Sequence, residues 1–151
     1  MIPVEWALEF ERLGIAETAG NNDGPPSILF MRGEKLAWCA GFVLTCIQLG
    51  LELSDGDVDY WHNRNVGAFE AWTQRQRKWF QAGESPCRGD VVFFGDRGLS
   101  DTGPGRHCGF VTGVGLDGDI LTVEGNVGNR IQSRRYSPTD RRITGYARFG
   151  R

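Results

Sequence analysis

Residues 39–50 read Cys-Ala-Gly-Phe-Val-Leu-Thr-Cys-Ile-Gln-Leu-Gly, and this stretch is apolar on nearly every side. A helix that is apolar all round is buried in its protein, and a glycine commonly marks the place where a helix ends. The stretch therefore predicts a central, largely buried helix that begins at Cys39. Other elements of the fold must cover it.

Helical patterns lie on both sides of this stretch, and strand patterns follow after residue 86. Apolar periodicity predicts further helices over residues 4–13, 27–31 and 67–80. Apolar runs between Gly, Pro and Asp turns predict strands over residues 90–94, 107–114, 120–123, 131–136 and 143–149. Helices first and an antiparallel sheet second are typical of the α+β class. We therefore expect a single domain over residues 1–151, with N-terminal helices packed on a C-terminal antiparallel β-sheet.

The composition is that of an ordinary globular protein, with 40% hydrophobic and 24% charged residues. A formal net charge of −2 leaves no basic footprint, so we expect no nucleic-acid partner. The longest apolar run is interrupted by Thr45 and Gln48, so we expect no membrane insertion. Residues 1–5 do not resemble a signal peptide, which favours synthesis in the cytoplasm without such a signal. The oligomeric state is left open.

The cysteine and carboxylate patterns favour neither a metal ion nor another cofactor, and we predict none. Four cysteines, at positions 39, 46, 87 and 108, form no CxxC pair, and free thiols are favoured over disulfides in a chain without an export signal. Residues 55–59 carry three alternating carboxylates, as calcium loops do. An EF-hand, however, requires glycine and glutamate where Tyr60 and Val66 stand, so a solvated acidic loop is the favoured interpretation.

Cys39 and His107 are the candidate nucleophile and base of a thiol hydrolase. A helix N-terminus presents free N–H groups and a partial positive charge, and both favour a thiolate at Cys39. The alternative is that Cys39 is a small core residue, like Cys46. His107 opens a predicted strand directly after the glycine-rich residues 103–106, where an imidazole is expected to be accessible to substrate. The other histidine, His62, lies in a polar segment and is the less favoured base.

Glu124 and Asn126 are the candidate partners of the imidazole, because a catalytic histidine needs an acceptor at its second nitrogen. If Asp117 and Gly118 close a two-residue hairpin, the pairing places His107, Glu124 and Asn126 on one face of the sheet. In that register Glu124 lies four residues from the position opposite His107, about 13 Å along the strand. A wider loop or a bulge that shifts the register by an even number would bring the two side chains together.

Four segments resemble, in order, the motifs of the CHAP (cysteine, histidine-dependent amidohydrolase/peptidase) family, a relative of the NlpC-type peptidases. They are Leu36-Ala-Trp-Cys-Ala-Gly-Phe-Val43, Arg88-Gly-Asp-Val-Val-Phe-Phe94, His107-Cys-Gly-Phe-Val-Thr-Gly-Val114 and Thr122-Val-Glu-Gly-Asn126. Residues 143–148 are similar to the closing strand of the family. Arg88 departs from the usual proline or small residue, and Cys108 from the common valine or isoleucine. We expect Cys108 to pack on the sheet face opposite His107.

The resemblance implies a papain-like α+β fold and a set of site residues. The implied roles are nucleophile for Cys39, base for His107, orientation of the imidazole for Glu124 and a fourth site member for Asn126. The backbone N–H of Cys39 is then the expected oxyanion donor, because it lies at the helix start.

Substrate binding is assigned to the segments around the nucleophile. Asn21, Asn22 and Asp23 fit the loop that precedes the nucleophile in phage-type members of the family, and this loop is the candidate for a second oxyanion donor. Trp38 is a further substrate-binding candidate, with core packing as the alternative.

The resemblance also implies cleavage of peptidoglycan amide bonds, by an amidase or an endopeptidase that acts on the peptide stems through a thioester. A phage lysin, a tail-associated enzyme and an antibacterial toxin all suit this interpretation. Each implies action at the cell wall or in the periplasm after delivery, which leaves room for a delivery or immunity partner. Two alternatives stay open: a catalytically silent binding module with the same fold, and a cysteine hydrolase of an amide outside the wall.

Overall fold

A computed structural model describes residues 1–95 and 106–150, so that the glycine-rich residues 103–105 of the sequence analysis lie outside the described residues. The helices are α1 (Pro3–Arg12), α2 (Pro25–Phe30), α3 (Cys39–Leu51), α4 (Tyr60–Asn63) and α5 (Val66–Arg75). The strands are β1 (Trp79–Gln81), β2 (Val91–Phe94), β3 (His107–Val114), β4 (Ile120–Val127), β5 (Arg130–Tyr136) and β6 (Ile143–Ala147). Among the described residues, no helix has the length and apolar character needed to cross a membrane.

Helix α3 lies at the centre of the apolar core, as its sequence predicts. Every residue from Cys39 to Gln48 is buried. The Phe30 ring, at the end of α2, stacks on Trp38 with centroids 5.7 Å apart and meets Phe42 edge-on at 5.3 Å. Glycine at position 41 permits this close approach, because a Cβ there would lie 2.2 Å from the Phe30 carbonyl oxygen. The start of α3 is therefore held firmly against α2.

Within the described residues the strands form one antiparallel sheet in the order β1-β6-β2-β3-β4-β5. One face packs on the helices and contributes to their core the side chains of Val91, Phe93, Cys108, Phe110 and Val123. The other face carries a smaller apolar cluster that includes Val92, Phe94, Val111, Tyr136 and Tyr146. This arrangement confirms the α+β prediction of N-terminal helices followed by an antiparallel sheet.

Two short elements differ from the sequence predictions. The polar segment around His62, for which the sequence predicts no helix, forms the short helix α4. The helix predicted over residues 67–80 ends at Arg75. Arg77 then adopts a left-handed backbone, with φ of 55°, and Trp79 pairs with Ala147 of β6. A short apolar segment fits either pattern, and here the open edge of β6 decides in favour of a strand.

The β3–β4 hairpin also differs from the predicted two-residue turn, and the difference positions the site. The Gly115 N–H donates to the Asp119 carbonyl at 2.8 Å, so that residues 116–118 form a three-residue loop. A bulge at residue 112 adds a further residue to β3. Each change shifts the pairing of β3 with β4 by one residue. Beyond the bulge Phe110 pairs with Val123, and continuing this register places Gly109, rather than Val111, opposite Glu124.

Candidate active site

Cys39 is the first residue of α3, directly after the N-cap residue Trp38. The first hydrogen bond of the helix runs from the Phe42 N–H to the Trp38 carbonyl at 2.9 Å. The amides of the first turn, including that of Cys39, therefore have no partner within the helix and point toward its N-terminal end. This is the local geometry that the sequence predicts, with N–H groups that can stabilise negative charge at the sulfur or on a substrate oxygen.

His107 and Glu124 meet on neighbouring strands. The His107 Nε2 lies 2.8 Å from the Glu124 Oε1, so Glu124 bonds the imidazole as predicted. The register shift explains the contact: Glu124 lies only two residues from the position opposite His107, about 7 Å along the strand, within reach of two long side chains. Both residues are buried, and His107 is only 3% exposed. The expectation that this imidazole is itself open to substrate is therefore wrong.

Cys39 interacts with both Cys108 and His107, and each lowers its pKa. Hydrogen bonds from the Cys108 thiol and backbone N–H favour the thiolate of Cys39, and so do the hydrogen bond and charge of His107. Together they outweigh burial and hold the pKa of Cys39 well below its ordinary value. Because Glu124 occupies Nε2, Nδ1 is the ring nitrogen left for the sulfur.

The imidazole is shifted in the opposite direction. Burial alone would lower the pKa of His107, but the hydrogen bonds to Cys39 and Glu124 more than offset it and raise the pKa to about 9. A thiol with a lowered pKa beside an imidazole with a raised pKa favours a thiolate–imidazolium ion pair. The site therefore favours a negative sulfur beside a positive imidazole.

Cys108 was expected on the sheet face opposite His107, and its position agrees with that expectation. It pairs with Phe93 and joins the helix-facing core, whereas His107 pairs with Phe94, which lies in the cluster on the other face. The sequence analysis missed the consequence, which is that the helix-facing side is the side of Cys39. Strand alternation together with the buried start of α3 would have indicated this contact.

Two further residues missed by the sequence analysis bond the Glu124 carboxylate. The Tyr136 hydroxyl, on β5, donates to both carboxylate oxygens, at 3.0 Å and 2.8 Å. The Thr122 hydroxyl donates to Oε2. Thr122 stands two residues before Glu124 on one strand, so alternation could have indicated it. Tyr136 becomes a neighbour only through the pairing of β4 with β5.

A cavity of about 380 Å³ opens beside Cys39 and gives the sulfur its access to solvent. Its lining includes Met31, Leu36, Arg64, Val66 and Arg106. Each guanidinium is already held by a carboxylate: Arg64 by Glu34 at 2.5 Å and Arg106 by the buried Glu70. Cys39 is 6% exposed and lies in the cavity wall. Among the described residues, this cavity gives a substrate an approach to the sulfur.

The residues predicted to bind substrate do not line this cavity. Trp38 is fully buried against Phe30, so its ring belongs to the core and offers no surface to a ligand. In the loop before α2, Asp23 pairs with Lys35 at 3.0 Å, and the Asn22 N–H donates to Glu17. The neighbouring Asn21 is exposed. Among the described residues, the structure gives the loop no contact with Cys39.

Neither of the two remaining polar candidates has a hydrogen bond to Cys39, His107 or Glu124 among the described residues. Asn126 has a left-handed backbone, with φ of 62°, inside an irregular stretch where β4 and β5 change register. The regular alternation on which its prediction relied is interrupted there, and its side chain forms no hydrogen bond within the described parts of the chain. His62 lies 3.5 Å from Asp59 on the half-exposed helix α4.

The acidic residues of the predicted loop 55–59 point to different partners. Asp55 accepts hydrogen bonds from Arg32 at 2.9 Å and Gln48 at 2.6 Å. Asp57 instead accepts from the backbone and hydroxyl of Ser54. In the part of the chain that the structure describes, no group of three or more His, Cys, Asp or Glu side chains could hold a metal ion. All four cysteines are free thiols, and Cys87 alone is exposed.

Comparison with known proteins agrees with this geometry. The sequence model that describes the CHAP domain matches residues 31–126, which is more than half of the chain and includes Cys39, His107 and Glu124. No curated protein and no solved structure matches the chain. The CHAP domain is associated with peptidoglycan-hydrolysing amidase and peptidase activity. By its matched length and its cysteine and histidine positions, the chain belongs to the CHAP domain family.

Proposed function

We propose that the protein is a cysteine hydrolase that cleaves amide bonds in the peptide stems of peptidoglycan, as an amidase or an endopeptidase. One observation carries the proposal: His107, which bonds Glu124 at 2.8 Å, lowers the pKa of the Cys39 thiol at the wall of an open cavity. A core cysteine needs neither a charged partner nor access to solvent. The family match supports peptidoglycan as the substrate.

The geometry supports acylation of the sulfur as the first step. The Cys39 thiolate attacks the amide carbonyl, a C–S bond forms, and the carbonyl oxygen becomes an oxyanion that the Cys39 N–H can stabilise. The His107 imidazolium donates its proton to the leaving nitrogen, the C–N bond breaks, and a thioester remains. Neutral His107 then removes a proton from water, which attacks the thioester. The C–S bond breaks and the thiolate is restored.

The surroundings of the cavity suit a peptide chain. Met31, Leu36 and Val66 offer apolar contacts to such a chain. We further propose that the protein acts at the cell wall after delivery, in a phage lysis or tail system or as an antibacterial toxin.

A turbidity assay on purified peptidoglycan tests the proposal. Wild type should clear the suspension, and Cys39→Ala should lose the activity by roughly a thousandfold or more, because the nucleophile is gone. Cys87→Ser is the matched control, since Cys87 is exposed and lies outside the site. It should act like wild type. Clearing by all three proteins, or by none of them, would contradict the proposal.

Mass analysis of the released fragments identifies the bond. An amidase frees whole stems from the glycan, and an endopeptidase leaves shortened stems attached to the sugar. Fragments in which the glycan is cleaved and the peptides are intact would instead show that the enzyme does not hydrolyse amide bonds. Incubation with Cys39→Ala provides the blank, because any fragment that also appears there does not arise at Cys39.

A further inference from the structure

The Glu124 carboxylate is fully buried, and its surroundings supply more hydrogen-bond donors than His107 alone. Burying a carboxylate without partners is costly, and each unsatisfied oxygen adds to the cost. Here Oε1 accepts from His107 at 2.8 Å and from the Tyr136 hydroxyl at 3.0 Å, while Oε2 accepts from Tyr136 at 2.8 Å and from Thr122. Both oxygens are therefore fixed in one orientation.

We infer that Tyr136, assisted by Thr122, is a positioning residue, which holds the Glu124 carboxylate against the imidazole and so keeps His107 directed at Cys39. The inference rests on the proposed function only for its kinetic consequence. Tyr136 lies on β5, beyond residue 126, where the family match ends.

The rings around this group restrict it further. Phe94 lies between His107, at 5.6 Å, and Tyr136, at 4.8 Å, measured between ring centroids. The guanidinium groups of Arg134 and Arg142 lie 5.8 Å and 5.5 Å from the centroid of the Tyr136 ring. The charged or titratable groups near the carboxylate include the imidazole and the Cys108 thiol on β3, the phenol on β5 and these two arginines. The phenol is buried and is the member that bridges both carboxylate oxygens.

Loss of the bridge should free the carboxylate to turn away from Nε2. The protonated form of His107 would then be less stable. It would therefore stabilise the Cys39 thiolate less. Tyr136→Phe removes one hydroxyl and keeps the ring. The rate of Cys39 alkylation by iodoacetamide is measured against pH in a Cys87→Ser background. The inflection of this curve should move to higher pH. With peptidoglycan, kcat should fall roughly tenfold while KM stays within about twofold.

Tyr146→Phe is the matched control, because Tyr146 is a buried tyrosine of the same sheet-face cluster. Its alkylation inflection and kcat should equal those of wild type. Thr122 provides an independent pair of variants: Thr122→Val should shift the inflection in the same direction by less, and Thr122→Ser, which keeps the hydroxyl, should not. The comparison of these two Thr122 variants tests the inference if Tyr136→Phe fails to fold.

Two results would overturn the inference. One is an unchanged inflection and unchanged kcat in Tyr136→Phe. The other is identical behaviour of Thr122→Val and Thr122→Ser. The alkylation profile needs no substrate, so it separates this inference from the proposed function. If wild type failed to cleave peptidoglycan, the proposed function would fall, whereas a shifted inflection would still place Tyr136 in support of the ion pair.

Discussion

At the level of single residues, the environment of Cys39 differs from that of the other buried thiol on its helix. Burial raises the pKa of Cys46 well above its ordinary value. Cys39 is also buried, yet hydrogen bonds from Cys108 and His107 hold its pKa well below the ordinary value. Hydrogen-bond donors therefore outweigh the effect of burial on the pKa of Cys39, whereas burial alone determines the pKa shift of Cys46. The two thiols therefore differ in charge state although both are buried on one helix.

The contact with Cys108 leads to a first prediction. Cys108→Ala removes a thiol donor to the thiolate, so the inflection of Cys39 alkylation should move to higher pH. Each unit of increase lowers the thiolate fraction about tenfold at pH values below the inflection. Iodoacetamide labelling followed by mass analysis, in a Cys87→Ser background, measures this inflection. Cys46→Ala is the control and should leave it unchanged; a shift of equal size in both variants would contradict the assigned contact.

A second prediction concerns the dependence of hydrolysis on pH. The pKa of His107 is raised to about 9, and that of Cys39 is lowered. Between the two values the sulfur is a thiolate and the imidazole is protonated, so the rate should be nearly constant there. As the pH rises through about 9, His107 loses the proton that the leaving amine requires, and kcat should fall. A rate that kept rising above pH 9 would contradict this ion pair.

At the level of elements, the β3–β4 hairpin determines whether His107 and Glu124 can meet. Its three-residue loop and the bulge at residue 112 together move the register by two, which keeps both side chains on one face and brings them closer. A shift of one residue would have turned Glu124 to the other face. The bulge is therefore a functional feature of this strand pair.

A third prediction tests the space beside Glu124. A Cβ at position 109 would lie 2.6 Å from the Glu124 Cγ and 2.8 Å from the Val123 carbonyl oxygen. Gly109→Ala should displace the carboxylate, lower kcat and reduce the free energy of unfolding by about 1–3 kcal/mol. Gly113→Ala, on the same strand, is the control, since no heavy atom lies within 4 Å of a Cβ there. Urea unfolding and peptidoglycan turnover should separate the two variants, and equal effects would count against the prediction.

At the level of the whole molecule, Asp90 connects chain segments that are distant in sequence. It accepts two hydrogen bonds from Arg148, both at 2.8 Å, and one from the Cys87 N–H at 2.7 Å. Asp90 is buried, at 2% exposure, and lies just before β2, while Arg148 follows β6. The aspartate of the Arg88-Gly-Asp motif thus stabilises the fold and lies outside the contacts around Cys39.

A fourth prediction follows for this buried ion pair. Asp90→Asn removes the charge and one acceptor, and should lower the free energy of unfolding by about 1–3 kcal/mol. Arg135→Gln removes only exposed ion pairs, with Asp117 and Asp119 at 3.3 Å and 3.4 Å, and should cost about 0–1 kcal/mol. Urea unfolding measures both values. Cys39 alkylation should be unchanged in Asp90→Asn, and a loss of thiol reactivity in the folded variant would assign this aspartate to the site instead.

The sequence by itself was sufficient for features that depend on local pattern. The continuous apolar run identifies α3 and its start at Cys39, because a helix without a polar face must be buried. Strand alternation places Cys108 on the sheet face opposite His107. The CHAP motifs identify the family, since they preserve residue types in order.

Tertiary structure decided the features that depend on register, edges and long-range contact. Hairpins with different loop lengths and bulge positions differ little in local energy. The sequence therefore did not determine the distance between His107 and Glu124. The segment at Trp79 became a strand because β6 offered an edge. Cys108 reached Cys39, and Tyr136 reached Glu124, only because strands far apart in the chain pack side by side. These contacts set the charge of the sulfur and the orientation of the imidazole, which a local pattern cannot encode.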